Sequence, residues 1–281
     1  MPDIRYEQPY HWWGLRTTEP EPLSVLELVD AGTFDTESIA LLWFLLQKPA
    51  SILVSALPHE AGKTTTLTAL LDFLPARAKK YYLRGSDEDF SFATAEAMDP
   101  HDTYLLVNEF SGSWPPYMWG SQITRLFALL PQGYLLAGSI HCDSVEEVIE
   151  TLSSAPNHAQ GAGIRSIDIV VILHHENNST NKVHRCASIN LMLPGVGSQD
   201  IRVRELVSWD PQADRFIHHH NDNGVFAEMS QWCGIAPSAV GGDLAVRQAF
   251  LEKLQSSGVT DYFQVREAIA HFTDRPSKTR P

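Results

Sequence analysis

Three adjacent residues, Gly62-Lys63-Thr64, offer what a phosphate group needs. A lysine ammonium neutralises terminal phosphates, a threonine hydroxyl ligates Mg2+, and the backbone N–H groups that open a helix donate to phosphate oxygens. The surroundings fit this chemistry. Ser51 to Ala56 is an apolar run that reads as a strand, and Lys63 to Leu74 reads as a helix. That strand-to-helix turn is where the pattern GxxxxGK[ST] works. Pro58, His59, Glu60, Ala61, Gly62, Lys63, Thr64 and Thr65 are therefore the nucleotide-binding candidates, with Thr64 as the metal ligand. The first half of the loop departs from the pattern, because Leu57 holds the first-glycine position. Glu60 adds a carboxylate near the expected phosphates, and like charges ~4 Å apart cost ~4 kcal/mol at an effective dielectric of ~20. Glu60 must therefore point outward, be paired with His59 or Lys63, or weaken nucleotide binding.

A carboxylate for the other half of such a site stands further on. Asp99-Pro-His-Asp-Thr-Tyr-Leu-Leu-Val-Asn-Glu-Phe110 is an apolar strand that ends in Glu109. There a carboxylate can orient and deprotonate an attacking water. Another apolar strand, Tyr134 to Ile140, leads straight into His141. Both residues fall at the C-terminal edge of the expected sheet, where open α/β sheets bind their ligands. Asp87-Glu88-Asp89-Phe90 follows a strand at Lys80 to Leu83, and it reads either as part of the site or as a solvated acidic turn.

In order and spacing these motifs resemble those of the motor ATPases that drive type II and type IV secretion and type IV pili. Members of that family have a strand ending in Gly-Glu, preceded by Asp-Pro, and a later strand ending in the histidine of a His box. Asp99-Pro100, Asn108-Glu109 and His141 take those places. The resemblance implies that Glu109 activates water and that His141 senses the γ-phosphate. It also implies that an acidic box acts at the metal or its water, with Glu88 the first choice and Asp89 next. Leu23 to Gly32 is similar to the segment leading into the family's ATPase domain, Asp261 to Ile269 is similar to its closing helices, and Arg16 sits where such proteins often carry an arginine near the nucleotide. The likeness covers residues 14 to 272. Three departures stand out: Glu60 replaces a common glycine, no arginine lies two residues after Glu109, and the Cys-rich zinc element of some members is absent.

What the resemblance implies overall is a RecA-like P-loop core using ATP and Mg2+. It further implies a cytoplasmic homo-oligomer, a hexameric ring held at the inner face of the plasma membrane by an inner-membrane platform protein. The alternative is a nucleotide-binding, hydrolysis-impaired scaffold or regulatory subunit, motivated by Leu57, Glu60 and the missing arginine.

The elements that must position these residues follow from the pattern of the chain. Helices are expected at Ser24 to Ala31 with Ser24 as N-cap, and at Thr36 to Gln47, apolar on all sides. Strands alternate with helices as far as a fifth strand at Ile167 to Leu173, which predicts right-handed crossovers and a mainly parallel sheet. Hairpin strands at Val183 to Leu193, Ile201 to Ser208 and Arg215 to His218 predict antiparallel additions to one edge. Helices near Asp243 to Gln255 and Asp261 to Phe272 close the chain. The expected division is a lead-in over 1–30, an α/β ATPase domain over 31–220 and a helical segment over 221–281.

Composition narrows the function classes. A net charge of −13 disfavours nucleic-acid phosphates as partners. Three widely spaced cysteines make neither a disulfide framework nor a CxxC zinc site. The longest apolar stretch, Ile39 to Leu46, is too short to cross a bilayer, so any membrane association is expected to run through a partner. His218-His219-His220 and His174-His175 read as exposed loops, because adjacent residues on a strand face opposite ways. Trp114-Pro-Pro-Tyr-Met-Trp-Gly120 reads as a packed loop near the site or a subunit contact, and Arg275 to Arg280 as a frayed tail.

Overall fold

A computed structural model describes residues 6–14, 19–57, 61–94, 99–178, 181–195 and 200–273. Arg16, Pro58, His59, Glu60 and the basic C-terminal residues lie outside the described residues. Two short helices come first, α1 (Val25–Asp30) and α2 (Thr36–Leu46). Ser24 caps α1 in a complete capping box with Glu27, and Asp35 caps α2 through the Ser38 N–H. Next come β1 (Ile52–Ser55), α3 (Lys63–Leu70), β2 (Lys79–Tyr82), β3 (Thr103–Phe110), α4 (Ser121–Leu129), β4 (Leu135–Ile140), α5 (Val145–Ser153) and α6 (Gly161–Ile164). Four strands complete the sheet: β5 (Ile169–Asn178), β6 (Asn181–Pro194), β7 (Ile201–Asp210) and β8 (Arg215–His218). The chain then runs through α7 (Asn223–Cys233), α8 (Pro237–Ser256) and α9 (Tyr262–Thr273).

The eight strands make one sheet in the order β2-β3-β4-β1-β5-β6-β7-β8. The first five are mutually parallel and the last three are antiparallel additions at the β5 edge. This is the expected mainly parallel α/β arrangement with its antiparallel hairpin edge. Side chains of the parallel strands alternate between two cores, as a strand's two-residue period requires. Ile52, Val54, Tyr104 and Leu106 face α1, α2, α3 and the C-terminal helices, whereas Leu53, Leu105 and Val107 face α4 to α6.

Helix α2 is buried from Ser38 to Leu46, so its all-round apolar character has a cause: it lies between the sheet and α8 and α9. Its Trp43 stacks on Phe73 at 5.4 Å and meets Phe250 and Phe272, while the buried Arg247 guanidinium sits 4.6 Å from the Trp43 ring. Val240, Leu251, Val265 and Ile269 of the C-terminal helices thus belong to the same core as β1.

Three local expectations change. Helix α7 is additional, and α8 starts at Pro237 rather than near Asp243, running through Gly241 and Gly242. Tertiary packing of Val240 and Leu251 outweighs the ~1 kcal/mol that each helical glycine costs. Strand β5 continues through His174 and His175, held by pairing with Arg185 and His184 of β6, so this pair is not in a loop. At α5 Ser144 caps the helix by accepting from the Glu147 N–H, and the Glu147 carboxylate accepts from the Asp143 N–H.

Candidate functional site

Strands β1, β3 and β4 are neighbours, and their C-terminal ends bring the predicted residues together. Parallel registers align Ser55 with Ile140 and Val107 with Gly138. A cross-brace locks the first pair: Ser55 Oγ donates to the Cys142 carbonyl at 2.7 Å and accepts from the Cys142 N–H at 3.2 Å. His141 is thereby held beside the loop that leaves β1. Gly62 caps α3 in the left-handed region at φ +84°, a conformation that favours glycine, while open space surrounds the place of a Cβ. The constraint there is the backbone angle, not crowding. The first turn of α3 has no acidic residue, and its leading N–H groups are those a helix leaves without intrahelical partners.

Lys63, Glu109 and His141 converge. Lys63 Nζ lies 3.8 Å from Glu109 Oε2, Glu109 Oε1 lies 3.1 Å from His141 Nε2, and Lys63 Nζ is 3.1 and 3.2 Å from the two ring nitrogens of His141. Nearly equal distances to both nitrogens place the ammonium against the ring rather than along one lone pair. The Lys63 side chain is 7% exposed, and that burial pulls its pKa down while the Glu109 charge opposes the shift. His141 Nδ1 also lies 3.2 Å from the Leu57 carbonyl, so the ring touches the start of the phosphate loop. Leu57 itself is exposed.

Glu109 is not the last residue of its strand. Strand β3 runs through Phe110, with a register shift between Val107 and Phe110. The aromatic stretch after it folds back along this end: the Met118 N–H donates to the Glu109 carbonyl at 2.9 Å, and the Ser111 N–H donates to the Met118 carbonyl at 3.1 Å. Gly85, at φ +58°, has the Pro116 backbone 2.3 Å from the place of a Cβ, so only glycine lets this loop lie so close. The loop brings Tyr117 to the site, where burial raises its pKa and the Glu109 charge adds to the effect.

These groups line a cavity of about 860 Å³ together with Ala61, Gly62, Thr64, Thr65 and Thr66. Its volume is in the range of small-molecule sites. The rest of the wall comes from Trp13 and Gly14, from Leu23, Leu28, Ala31 and Thr33 around α1, and from His184 of β6. Trp12 Nε1 donates to Thr68 Oγ1 at 2.9 Å, which fastens this wall to α3. Trp13 and His184 went unread in the sequence, whereas Tyr117 belongs to the aromatic stretch that read as a packed loop near the site or a subunit contact. A contact between positions more than a hundred residues apart leaves no local signal.

Glu88 is not brought to the cavity. It is 2% exposed, and its carboxylate accepts from Tyr6 Oη at 2.8 Å, the Phe90 N–H at 2.9 Å and the Arg84 N–H at 3.0 Å. Asp89 accepts from Tyr6 Oη and the Ser91 N–H. The acidic segment thus organises its own turn and ties down the lead-in, so neither the metal-facing role nor the solvated turn describes Glu88. The triple histidine is likewise no exposed loop. His218 ends β8, His219 begins a helical turn, and His220, 2% exposed, packs against the start of α2.

The donor set fits a Mg-nucleotide: a left-handed glycine turn, a helix start without acidic residues, a buried lysine and the threonines behind it. Among the described residues no helix is long and apolar enough to cross a membrane.

No protein-family model matches the chain. The uncharacterized protein MJ0900 of Methanocaldococcus jannaschii is 25% identical over 281 residues, an alignment covering 90% of this chain and 49% of that protein. The chain thus spans about half the length of that relative. A second uncharacterized protein of the same organism, MJ1287, is 22% identical over 255 residues, covering 81% of this chain and 90% of the other. Among solved structures, the VirB11 ATPase of the Brucella suis type IV secretion system, in complex with sulphate, is similar at a TM-score of 0.36 and 18% identity, covering 61% of this chain and 56% of that one. The ATPase DotB of Legionella pneumophila is similar at a TM-score of 0.36 and 11% identity, covering 92% of this chain and 68% of that one. At such TM-scores the superpositions add no weight to the role of any residue.

Proposed function

We propose that the chain binds Mg-ATP at the start of α3 and hydrolyses it as a subunit of an oligomeric, ring-forming motor. The observation that carries this reading is the convergence of Lys63, Glu109 and His141 within 3.8 Å on the wall of a large cavity, at the C-terminal ends of three adjacent strands. Lys63 neutralises phosphate charge and the N–H groups of Gly62 to Thr65 hold phosphate oxygens. Thr64 supplies the hydroxyl that ligates Mg2+, an ion whose chemistry in such sites is to neutralise charge that develops on the transferred phosphoryl group. Glu109 orients and deprotonates water, and His141 reads whether a terminal phosphate is present, since its ring touches Lys63, Glu109 and the Leu57 carbonyl together.

The likeness in motif order to secretion and type IV pilus ATPases supports extending the proposal to a hexamer that works such a machine through an inner-membrane platform protein. A scaffold that binds nucleotide without turning it over is the competing reading, supported by Leu57 in place of the first loop glycine and Phe110-Ser111 in place of a following arginine. Steady-state Mg-ATP hydrolysis by the purified chain separates the two. Turnover is expected, and its absence in the presence of binding assigns the scaffold role.

A further inference from the structure

The buried end of β8 carries a second constellation that the nucleotide site does not use. Glu37, His218 and His220 present one ligand atom each within 4.8 Å of one another. Glu37 Oε1 lies 3.5 Å from His220 Nε2, and Glu37 Oε2 lies 3.6 Å from His218 Nε2. A tetrahedral site with bonds of about 2.0–2.1 Å spaces its donors about 3.3 Å apart, so these separations need only small side-chain adjustments. Asp35 adds a fourth donor, its Oδ2 standing 2.7 Å from His218 Nε2. We propose that Glu37, His218 and His220, closed by Asp35, form a structural site for a divalent transition metal, with Zn2+ the favoured ion.

The surroundings are those of a built site. His218 and His220 are two residues apart, where β8 passes into a helical turn, and both point at the N-terminus of α2. His219 between them turns away to Ser208 and Glu205. The outer ring nitrogen of His220 faces the Leu206 carbonyl at 3.4 Å, which leaves Nε2 for a metal, and Asn221 Nδ2 holds Glu37 Oε1 at 2.9 Å. Such outer contacts orient metal ligands in general. His218 Nδ1 is buried without a hydrogen-bond partner, so the polar contacts of the ring lie on its Nε2 side. Two imidazoles select a borderline transition metal over Mg2+, which separates this site from the one at Thr64. Closing it would pin the open edge strand to α2, whose N-cap Asp35 lies two residues beyond Thr33, which lines the nucleotide cavity and whose carbonyl accepts from the Cys186 N–H. The proposal is independent of nucleotide binding.

Co2+ is the probe, because tetrahedral coordination gives it strong visible bands. The chelator-treated chain is expected to bind one equivalent with those bands, Zn2+ is expected to displace it, and Zn2+ alone is expected to raise the melting temperature. His220→Gln should abolish the bands while His175→Gln, in the separate stacked pair with His184, leaves them intact. Asn221→Ala should weaken Co2+ by about tenfold, the usual cost of losing an outer contact, and it decides the matter if His220→Gln fails to fold. Absent bands, bands that persist in His220→Gln, bands lost in His175→Gln, or an unchanged affinity in Asn221→Ala would each overturn the site.

Discussion

Lys63 Nζ and Glu109 Oε2 lie 3.8 Å apart although 46 positions separate them in the sequence, since one opens α3 behind β1 and the other lies near the end of β3, two strands away. The pairing satisfies a largely buried ammonium and puts cation and carboxylate on one cavity wall, where phosphate and water would each need one of them.

Nucleotide should therefore stabilise the fold through Lys63. Mg-ADP or Mg-ATP at a hundredfold excess over Kd contributes ~2.7 kcal/mol, which corresponds to a rise of ~5–10 °C in melting temperature for a chain of this size. Lys63→Ala should abolish the rise. A wild-type melting curve that saturating nucleotide leaves unmoved contradicts the phosphate site.

Glu109→Gln tests the chemical step. It keeps the shape of the side chain and removes the base, so ATP binding should persist while turnover falls on the order of 10²-fold or more. Since Glu109 also faces Lys63 and His141, affinity should be measured directly by calorimetry. Equal turnover in mutant and wild type would place the base elsewhere.

Placing glycine at both Leu57 and Glu60 asks whether the divergent loop is a working variant. The Leu57 carbonyl contacts His141, and an added glycine frees backbone that folding must then order. Affinity and turnover are expected to stay similar or weaken. A tenfold gain in both, read by calorimetry and hydrolysis rate, would instead identify the present loop as impaired.

Asp168 provides a pH signature remote from the site. Its burial at the start of β5 pushes its pKa up to about 7, with the Ser51 N–H, 2.7 Å away, and Trp232 opposing the shift. A carboxyl that is easier to protonate when folded stabilises fully below its unfolded value of ~4, and that stability is lost as pH rises toward 7. The ceiling is on the order of 4 kcal/mol. Asp168→Asn cannot titrate and still offers an oxygen to Ser51. Its unfolding free energy relative to wild type should therefore climb from pH 4 to about 7 and level off above, as measured by denaturant titration. A difference that is flat with pH rules this out.

Much was legible before any coordinates. Gly62-Lys63-Thr64, Glu109 and His141 each sit beside a strong apolar strand, and parallel strands joined by right-handed crossovers put all such ends on one sheet edge. Local signals also set the Ser24 cap, the buried α2 and the hairpin edge, because each depends on residues within a few positions. What local pattern does not contain is which distant side chain meets which. The acidic segment read either as part of the site, with Glu88 the first choice, or as a solvated turn, whereas Tyr6, 82 positions away, and the Arg84 and Phe90 N–H groups hold Glu88 inside its turn. His218 and His220 read as loop residues, since their partners Asp35 and Glu37 lie more than 180 positions earlier. Periodicity tells a chain which face of each element to bury. Only the closed packing of α2 against β8, and of the lead-in against α3, decides which polar groups are buried together.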